Sequence, residues 1–184
     1  RKQGLSRDLA KAALFGDRDV DDVSHSIRNI IYNLRKRLKA LGLPESRYVV
    51  KKKGVYFWCD DIKVIEDATE FETAFNNAMN CEDDEQKIEM LTNACYMYAG
   101  RFLAGNESSV WSVQEAERYR EIFSDCVIEL TDMLRDTHKY KQLLDVSVYA
   151  SKVDPFSEWE ILTLEALGRL GKFDNTESFY RQTV

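Results

Sequence analysis

The sequence has 184 residues, 44% of them hydrophobic and 32% charged, which is typical of folded soluble proteins and argues against both a disordered chain and a disulfide-stapled miniprotein. Two domains are expected at this length. The net charge of −6 is unevenly distributed: residues 1–63 contain 15 Lys and Arg against 8 Asp and Glu, a net +7, whereas residues 64–184 contain 11 against 24, a net −13. The first part therefore suits a phosphate-bearing partner, and the second suits contact with protein.

Several classes of protein are excluded by missing motifs. The cysteines, at positions 59, 81, 95 and 126, form no CxxC pair, and neither His25 nor His138 has a partner at metal-ligand spacing. No P-loop, dinucleotide-binding or G-x-S-x-G motif occurs, and no apolar run approaches the roughly 20 residues of a membrane span. We therefore predict a cytoplasmic protein with reduced thiols, no metal, no cofactor, no catalytic residue and no membrane association.

The first half of the sequence predicts two helices followed by a β-hairpin. Ser6 is a suitable N-cap for a short first helix, and apolar periodicity predicts a longer helix from about Val23 to Leu41. The segment Arg47–Trp58 contains two β-prone runs on either side of a Lys-rich turn with Gly54 in it. This order of elements is the outline of a winged helix-turn-helix.

The second half, from Asp67 onward, has only helical periodicity. The predicted helices span approximately residues 68–80, 84–98, 110–136, 140–152, 157–170 and Phe173 to the end. Tyr140 and Phe173 lie 33 residues apart, with Pro155 between them, which is close to the tetratricopeptide period of about 34 residues. The predicted fold is thus mostly α, a partial winged helix-turn-helix with a hairpin wing followed by an all-α, tetratricopeptide-like domain.

Individual segments of both halves resemble known families. Leu5–Asp8, Ser26–Lys36 and the Tyr48–Trp58 hairpin resemble the effector domain of winged-helix response regulators. Other segments resemble the bacterial transcriptional activator domain: Ala68–Phe71, Tyr98–Leu103, Trp111 with the helix after it, Asp154-Pro155 and Gly168–Lys172. Together they resemble activators of the antibiotic-regulatory-protein type over nearly the whole chain.

This resemblance implies two domains with separate roles. Residues 1–63 would form a DNA-binding winged helix-turn-helix, and residues 67–184 an all-helical bacterial transcriptional activator domain. Because the family's first small sheet and first helix do not precede Arg1, we expect the sequence to be a fragment that lacks the N-terminal part of the winged helix.

The predicted helix Val23–Leu41 has two different faces. At 100° per residue, five apolar side chains share one stripe: Ile27, Ile30, Ile31, Leu34 and Leu38. Six polar or aromatic side chains lie opposite or beside it: His25, Arg28, Asn29, Tyr32, Asn33 and Lys36. The second face would offer hydrogen-bonding groups to base edges and phosphates, as a recognition helix does. An ordinary solvated helix face is the alternative.

Three consecutive lysines, Lys51, Lys52 and Lys53, lie at the predicted hairpin tip. A wing would place this charge along the sugar-phosphate backbone. The alternative is that the lysines protect an exposed strand edge from pairing.

We therefore predict a transcriptional regulator, most simply an activator, that binds double-stranded DNA with a recognition helix in the major groove and a wing on the backbone. Its helical half would contact the transcription machinery or a second copy of the chain, so that a homodimer is one expected assembly. Two alternatives stay open: a tetratricopeptide-like interaction scaffold with a degenerate winged helix, and an enzyme whose site has no sequence motif.

Overall fold

The computed structural model describes residues 4–16, 18–105, 110–155 and 157–172, which belong to two units. The first unit holds the described residues up to Ile65 together with Val110 and Trp111, and the second holds the others. The elements up to Ile65 are β1 (Leu5–Ser6), α1 (Arg7–Phe15), α2 (Val23–Ala40), β2 (Val49–Lys52) and β3 (Val55–Trp58). The later elements are α3 (Asp67–Met79), α4 (Asp84–Met97), α5 (Val110–Asp136), α6 (Tyr140–Val153) and α7 (Glu160–Arg169).

A three-stranded antiparallel sheet with the order β1-β3-β2 lies in the first unit. Lys52 pairs with Val55, which leaves Lys53 and Gly54 as a two-residue turn with φ angles of 49° and 84°. Two successive positive φ angles are the signature of the type I′ turn, whose twist matches that of paired strands. The predicted hairpin is confirmed. Strand β1 was not predicted, because two residues are too few to show an alternating pattern.

The two helices of the first unit begin at side-chain caps. The Leu9 amide donates to Ser6 Oγ at 3.2 Å, and the His25 amide donates to Asp22 Oδ1 at 2.9 Å. Each cap satisfies an amide that has no partner within its own helix. Both predicted helices are confirmed to within about one residue at their ends.

The core of the first unit is small. Four residues are buried in it: Ala10, Val23, Ile27 and Tyr56. The predicted apolar stripe of α2 is only partly correct, because Ile30 is 39% exposed and Leu34 and Leu38 are half-buried. The short helix α1 and the narrow sheet cover the line through Ile27 and Ile31, and they are too small to cover a full five-residue stripe.

The second unit is all-helical, in a tetratricopeptide-like arrangement of helix pairs. Helix α3 packs on α4, and α6 packs on α7. The longest helix, α5, contributes Phe123, Val127 and Leu130 to the main core, and each of them is completely buried. The Phe123 ring stacks on Tyr98 at 4.3 Å and meets Trp159 edge-on at 6.5 Å between centroids. Helix α5 is therefore the element around which both pairs are packed.

Ion pairs join α5 to three other helices of the second unit. Arg118 binds Glu72 of α3 through two hydrogen bonds at 2.7 and 3.2 Å. Arg135 binds Glu165 of α7 at 2.9 and 3.0 Å, and Lys87 of α4 binds Glu129 at 2.5 Å. These bonds raise the pKa of Arg118 and Arg135 above the ordinary arginine value. Lys87, Arg118 and Arg135 are thus bound to carboxylates of other helices in the same unit.

Four helices of the second unit lie within one or two residues of their predicted ends, and the start of α7 does not. It begins at Glu160, three residues later than predicted, because the Ser157 hydroxyl donates to Asp154 and the Trp159 amide donates to the Ser157 carbonyl. These bonds make a turn of residues 157–159. The predicted last helix, from Phe173 onward, lies outside the described residues.

The cysteines are free thiols, and three of the four are buried. Burial raises the pKa of the Cys95 thiol to about 12 and that of Cys126 further still. Because the thiolate is the reactive form, both groups are inert packing residues at neutral pH.

Truncation of Phe123 tests the central position of α5. Phe123→Ala should lower the free energy of unfolding by about 3–5 kcal/mol, because it removes a fully buried ring and leaves a cavity. The control is Ile128→Ala on the same helix, which removes a side chain that is 50% exposed and should cost under about 1 kcal/mol. Urea denaturation followed by far-ultraviolet circular dichroism measures both. Equal losses would contradict the assigned core.

Candidate nucleic-acid interface

One face of α2 is a polar ridge exposed to solvent. All six side chains predicted for it are exposed, and the largest, Tyr32, has 65% of its surface accessible. These residues are His25, Arg28, Asn29, Tyr32, Asn33 and Lys36. The ridge lies opposite Ile27, which is buried in the core. The structure therefore brings the predicted residues onto one surface, while their contact with nucleic acid stays a prediction.

The three hairpin lysines are all exposed but have different surroundings. The Lys51 amine lies 5.3 Å from the ring centroid of Tyr56, its partner across the strands. Lys52 forms an exposed ion pair with Asp60 at 3.3 Å. Lys53 occupies the turn itself, next to Gly54. Lys53 thus lies at the tip of the hairpin, and Lys51 is held against its surface.

Arg35 fastens α2 to the hairpin. Its Nε donates to the Arg47 carbonyl at 2.7 Å, and its Nη2 donates to the Val49 carbonyl at 2.9 Å. The planar guanidinium is suited to such a pair of bonds, because its donors are held in a rigid fork. The bonds join residues 12 and 14 positions apart, and they fix the start of β2 beside the helix.

An open groove of about 620 Å³ lies between α2 and the hairpin. Four of its nine lining residues are cationic, and none is acidic: the cations are Arg28, Arg35, Arg47 and Lys51. The remaining walls are formed by Ser24, Ile31, Val49, Val50 and Tyr56. The groove therefore has a positive, partly apolar lining.

The N-terminus of α2 is held by an ionised carboxylate. The hydrogen bond from the His25 amide lowers the pKa of Asp22 below its ordinary value, and the Ser24 amide and the charge of Arg28 lower it further. The cap therefore remains ionised at neutral pH, as the positive end of the helix dipole favours.

The sequence analysis did not find Arg35 and Arg47 as members of this surface. A signal for Arg35 was present, since at 100° per residue it lies about 80° from Ile27, at the border between the buried and exposed faces. Residues at such borders often contact a neighbouring element. No signal marked Arg47, which precedes β2 in a segment without regular structure.

A family comparison identifies the helical part of the chain. The family model of the bacterial transcriptional activator domain matches residues 66–184, which is more than half of the sequence. The chain belongs to this family. The resemblance found in the sequence is thereby confirmed, and this bacterial transcriptional activator domain protein is a member of a family of transcriptional regulators.

A solved structure has a similar fold. Mycobacterium tuberculosis EmbR, in complex with a low-affinity phosphopeptide, matches with a TM-score of 0.64 and 16% sequence identity over 99% of the present chain. The match covers 49% of EmbR, so the present chain spans about half the length of EmbR. At this identity the similarity shows the fold alone, a winged helix-turn-helix followed by a helical domain. No curated protein matches the sequence.

Within the part of the chain that the structure describes, no group of three or more His, Cys, Asp or Glu side chains could hold a metal ion. No helix among those described residues is long and apolar enough to cross a bilayer.

The Arg35 bonds can be tested by substitution. Arg35→Gln should destabilise the first unit by about 1–3 kcal/mol, because a charge-assisted pair of hydrogen bonds to Arg47 and Val49 is lost. Arg37→Gln, an exposed substitution on the same helix, is the matched control and should change stability by less than about 0.5 kcal/mol. Amide hydrogen exchange in β2 and β3 reports the change. Unaltered protection in Arg35→Gln would show that the bonds do not fasten the hairpin.

Proposed function

We propose that this chain binds double-stranded DNA through its first unit and acts as a transcriptional activator. Helix α2 lies in the major groove with its polar ridge toward the base edges, and the β2–β3 hairpin is the wing that contacts the backbone. The second unit supplies contact with protein. The proposal rests mainly on one observation: the exposed ridge of α2 and the lysine-bearing hairpin tip occur in one winged helix-turn-helix unit.

The way the two units use their basic residues supports this division. In the second unit Lys87, Arg118 and Arg135 bind carboxylates of neighbouring helices. In the first unit, by contrast, the side chain of Lys53 makes no hydrogen bond or ion pair with any described residue. Cations without partners can neutralise phosphates and release counterions, whereas cations in ion pairs must first give up their carboxylates.

The conformation of Lys53 supports a role for the wing. Its φ angle of 49° lies in the left-handed region, which costs a residue with a side chain roughly 1–2 kcal/mol. Asn or Gly is the usual choice at this position of a type I′ turn. A lysine at this position lowers the stability of the hairpin but places a positive charge at its tip. The cost is explained if the tip contacts a phosphate.

For the second unit, we propose contact with a protein, either the transcription machinery or a second copy of this chain as a homodimer. Residues 64–184 carry a net charge of −13, which disfavours nucleic acid. Exposed apolar side chains such as Ile128, Val148 and Ile161 are available for such a contact. EmbR, which has a similar fold, is described in complex with a phosphopeptide, and this agrees with a protein-binding role.

Substitution of Asn29 tests sequence reading by α2. Duplexes are first selected from a random library by the wild-type chain. Asn29→Ala should then bind the selected duplex more weakly by about 1–3 kcal/mol, with little change on random DNA, because a contact to a base edge is lost. Fluorescence anisotropy measures both affinities. Equal weakening on the two DNAs would contradict base reading by Asn29.

Substitution of Lys53 tests the wing. Lys53→Asn should stabilise the hairpin by up to about 1 kcal/mol, since asparagine tolerates the left-handed turn. It should also weaken binding to selected and random DNA alike and make the log-log salt dependence shallower by roughly 0.9. The exposed Lys63→Asn, outside the hairpin, is the control and should keep the wild-type slope. A wild-type slope in Lys53→Asn would favour the edge-protection role of the lysines.

The division between the units predicts that residues 66–184 bind no DNA by themselves. A fragment of that range should show no mobility shift with the selected duplex, because its surplus of acidic residues opposes phosphate. Its circular dichroism spectrum serves as the control for folding. Specific DNA binding by a folded fragment would contradict the proposal that the first unit alone binds DNA.

A further inference from the structure

We propose that the groove between α2 and the hairpin binds a small amphiphilic anion, and that this ligand excludes DNA from the first unit. The ligand is a molecule with a flat apolar body and one carboxylate, sulfonate or phosphate group. Its binding to the groove is independent of DNA. The exclusion of DNA rests on the proposed function, to which it adds regulation by a small molecule.

The interior of the groove is apolar. Ile31 lines it from α2, Val49 and Val50 line it from β2, and Tyr56 lines it from β3. The three aliphatic side chains are half-buried and Tyr56 is buried, whereas the cationic side chains other than Arg35 are exposed. The groove thus has an apolar interior below a cationic rim. A sugar-phosphate backbone presents charged and polar atoms and leaves such an interior unfilled, but an aromatic or aliphatic body fills it.

The rim determines the charge of the ligand. The exposed cations are Arg28, Arg47 and Lys51, and none of the nine lining residues is acidic. Arg28 interacts with the Asp22 carboxylate, which lies outside the lining. The side chain of Arg47 makes no hydrogen bond or ion pair with any described residue, and the Lys51 amine lies 5.3 Å from the ring centroid of Tyr56. Guanidinium and ammonium groups bind anionic oxygens through charge-assisted hydrogen bonds.

The size of the groove fits a small organic molecule. Its volume of about 620 Å³ falls within the range of roughly 300–1,000 Å³ that is usual for small-molecule sites. An inorganic anion such as sulfate would fill only a small part of it. The two walls are joined by the Arg35 bonds to the Arg47 and Val49 carbonyls, at 2.7 and 2.9 Å. The site is therefore formed before the ligand arrives, which lowers the cost of binding.

A ligand in this groove competes with DNA. Arg28 belongs to the ridge of α2, and Lys51 is one of the three lysines of the hairpin. The bound anion occupies both side chains and adds a negative charge between the two elements that contact the duplex. Because each partner binds the chain without the other, the ligand raises the apparent Kd for DNA by the factor 1 + [L]/Kd of the ligand.

Three matched probes test the site on the full 15N-labelled chain. Naphthalenesulfonate has both the apolar body and the charge, naphthalenesulfonamide has the body alone, and inorganic sulfate has the charge alone. Naphthalenesulfonate should bind about tenfold more tightly than either of the others, as expected when each part of the molecule contributes. Its largest amide shifts should occur at Ile31, Val50 and Tyr56. Adsorption to apolar surface in general would shift exposed residues such as Leu9 and Leu41 equally.

Variants separate the rim from the interior. Arg47→Gln and Lys51→Gln should each weaken naphthalenesulfonate about tenfold and leave naphthalenesulfonamide unchanged. Val50→Thr keeps the branched shape but adds a hydroxyl to the interior, so it should weaken both aromatic probes. Lys39→Gln removes a cation that pairs with Glu45 at 3.2 Å outside the lining, and it should bind all probes as the wild type does. Amide spectra without probe show whether each variant is folded.

The effect on DNA is measured by fluorescence anisotropy with a duplex selected by the wild-type chain. Naphthalenesulfonate should raise the apparent Kd of the duplex tenfold at a concentration nine times its own Kd, as competition requires. Naphthalenesulfonamide and sulfate at the same concentration should change it much less. Sulfate also controls for the screening of DNA binding by added salt.

The outcomes distinguish this inference from the proposed function. If naphthalenesulfonate binds no more tightly than the other two probes, or shifts residues outside the groove, the ligand site is wrong and DNA binding stands. If it binds in the groove but leaves the DNA affinity unchanged, the exclusion of DNA is wrong. If the folded chain selects no duplex, the proposed function fails, while the probe titrations still decide whether the groove binds an amphiphilic anion.

Discussion

The first unit depends on the guanidinium of Arg35, which holds the start of the hairpin beside α2. The unit has only a small core, so packing alone leaves the hairpin weakly fixed. Two hydrogen bonds to the Arg47 and Val49 carbonyls provide the missing constraint. They also join the two walls of the groove, which Arg35 itself lines. Arg35, which binds backbone carbonyls of its own unit, therefore determines the geometry of the proposed interface.

The two units differ in whether their basic side chains are bound to carboxylates. In the second unit the cations of Arg118 and Arg135 are bound to carboxylates of neighbouring helices, and the net charge of residues 64–184 is −13. In the first unit most of the cationic side chains around α2 and the hairpin are left to solvent. One chain thereby has a positive part suited to phosphate and a negative part that repels it, as the proposed division of roles requires.

Much of this architecture could be predicted from the sequence, because it is encoded locally. The caps at Ser6 and Asp22, the turn at Lys53-Gly54 and the helical periodicity all act over a few residues. Features that depend on tertiary packing could not be predicted. Strand β1 exists only because β3 pairs with it, and Ile30 is exposed because the covering elements are short. The groove requires Arg28, Arg47 and Lys51 to converge, and their approach depends on how the hairpin folds against α2.

Nuclear magnetic resonance tests most directly whether DNA binds the chain at the ridge of α2 and the hairpin. Amide signals of the 15N-labelled chain are followed while a duplex selected by the wild-type protein is added. We expect the largest shifts in α2, from His25 to Lys36, and in the hairpin from Arg47 to Tyr56, while α3, α4, α6 and α7 change little. Shifts confined to the helices of the second unit, or none at saturating duplex, would contradict it.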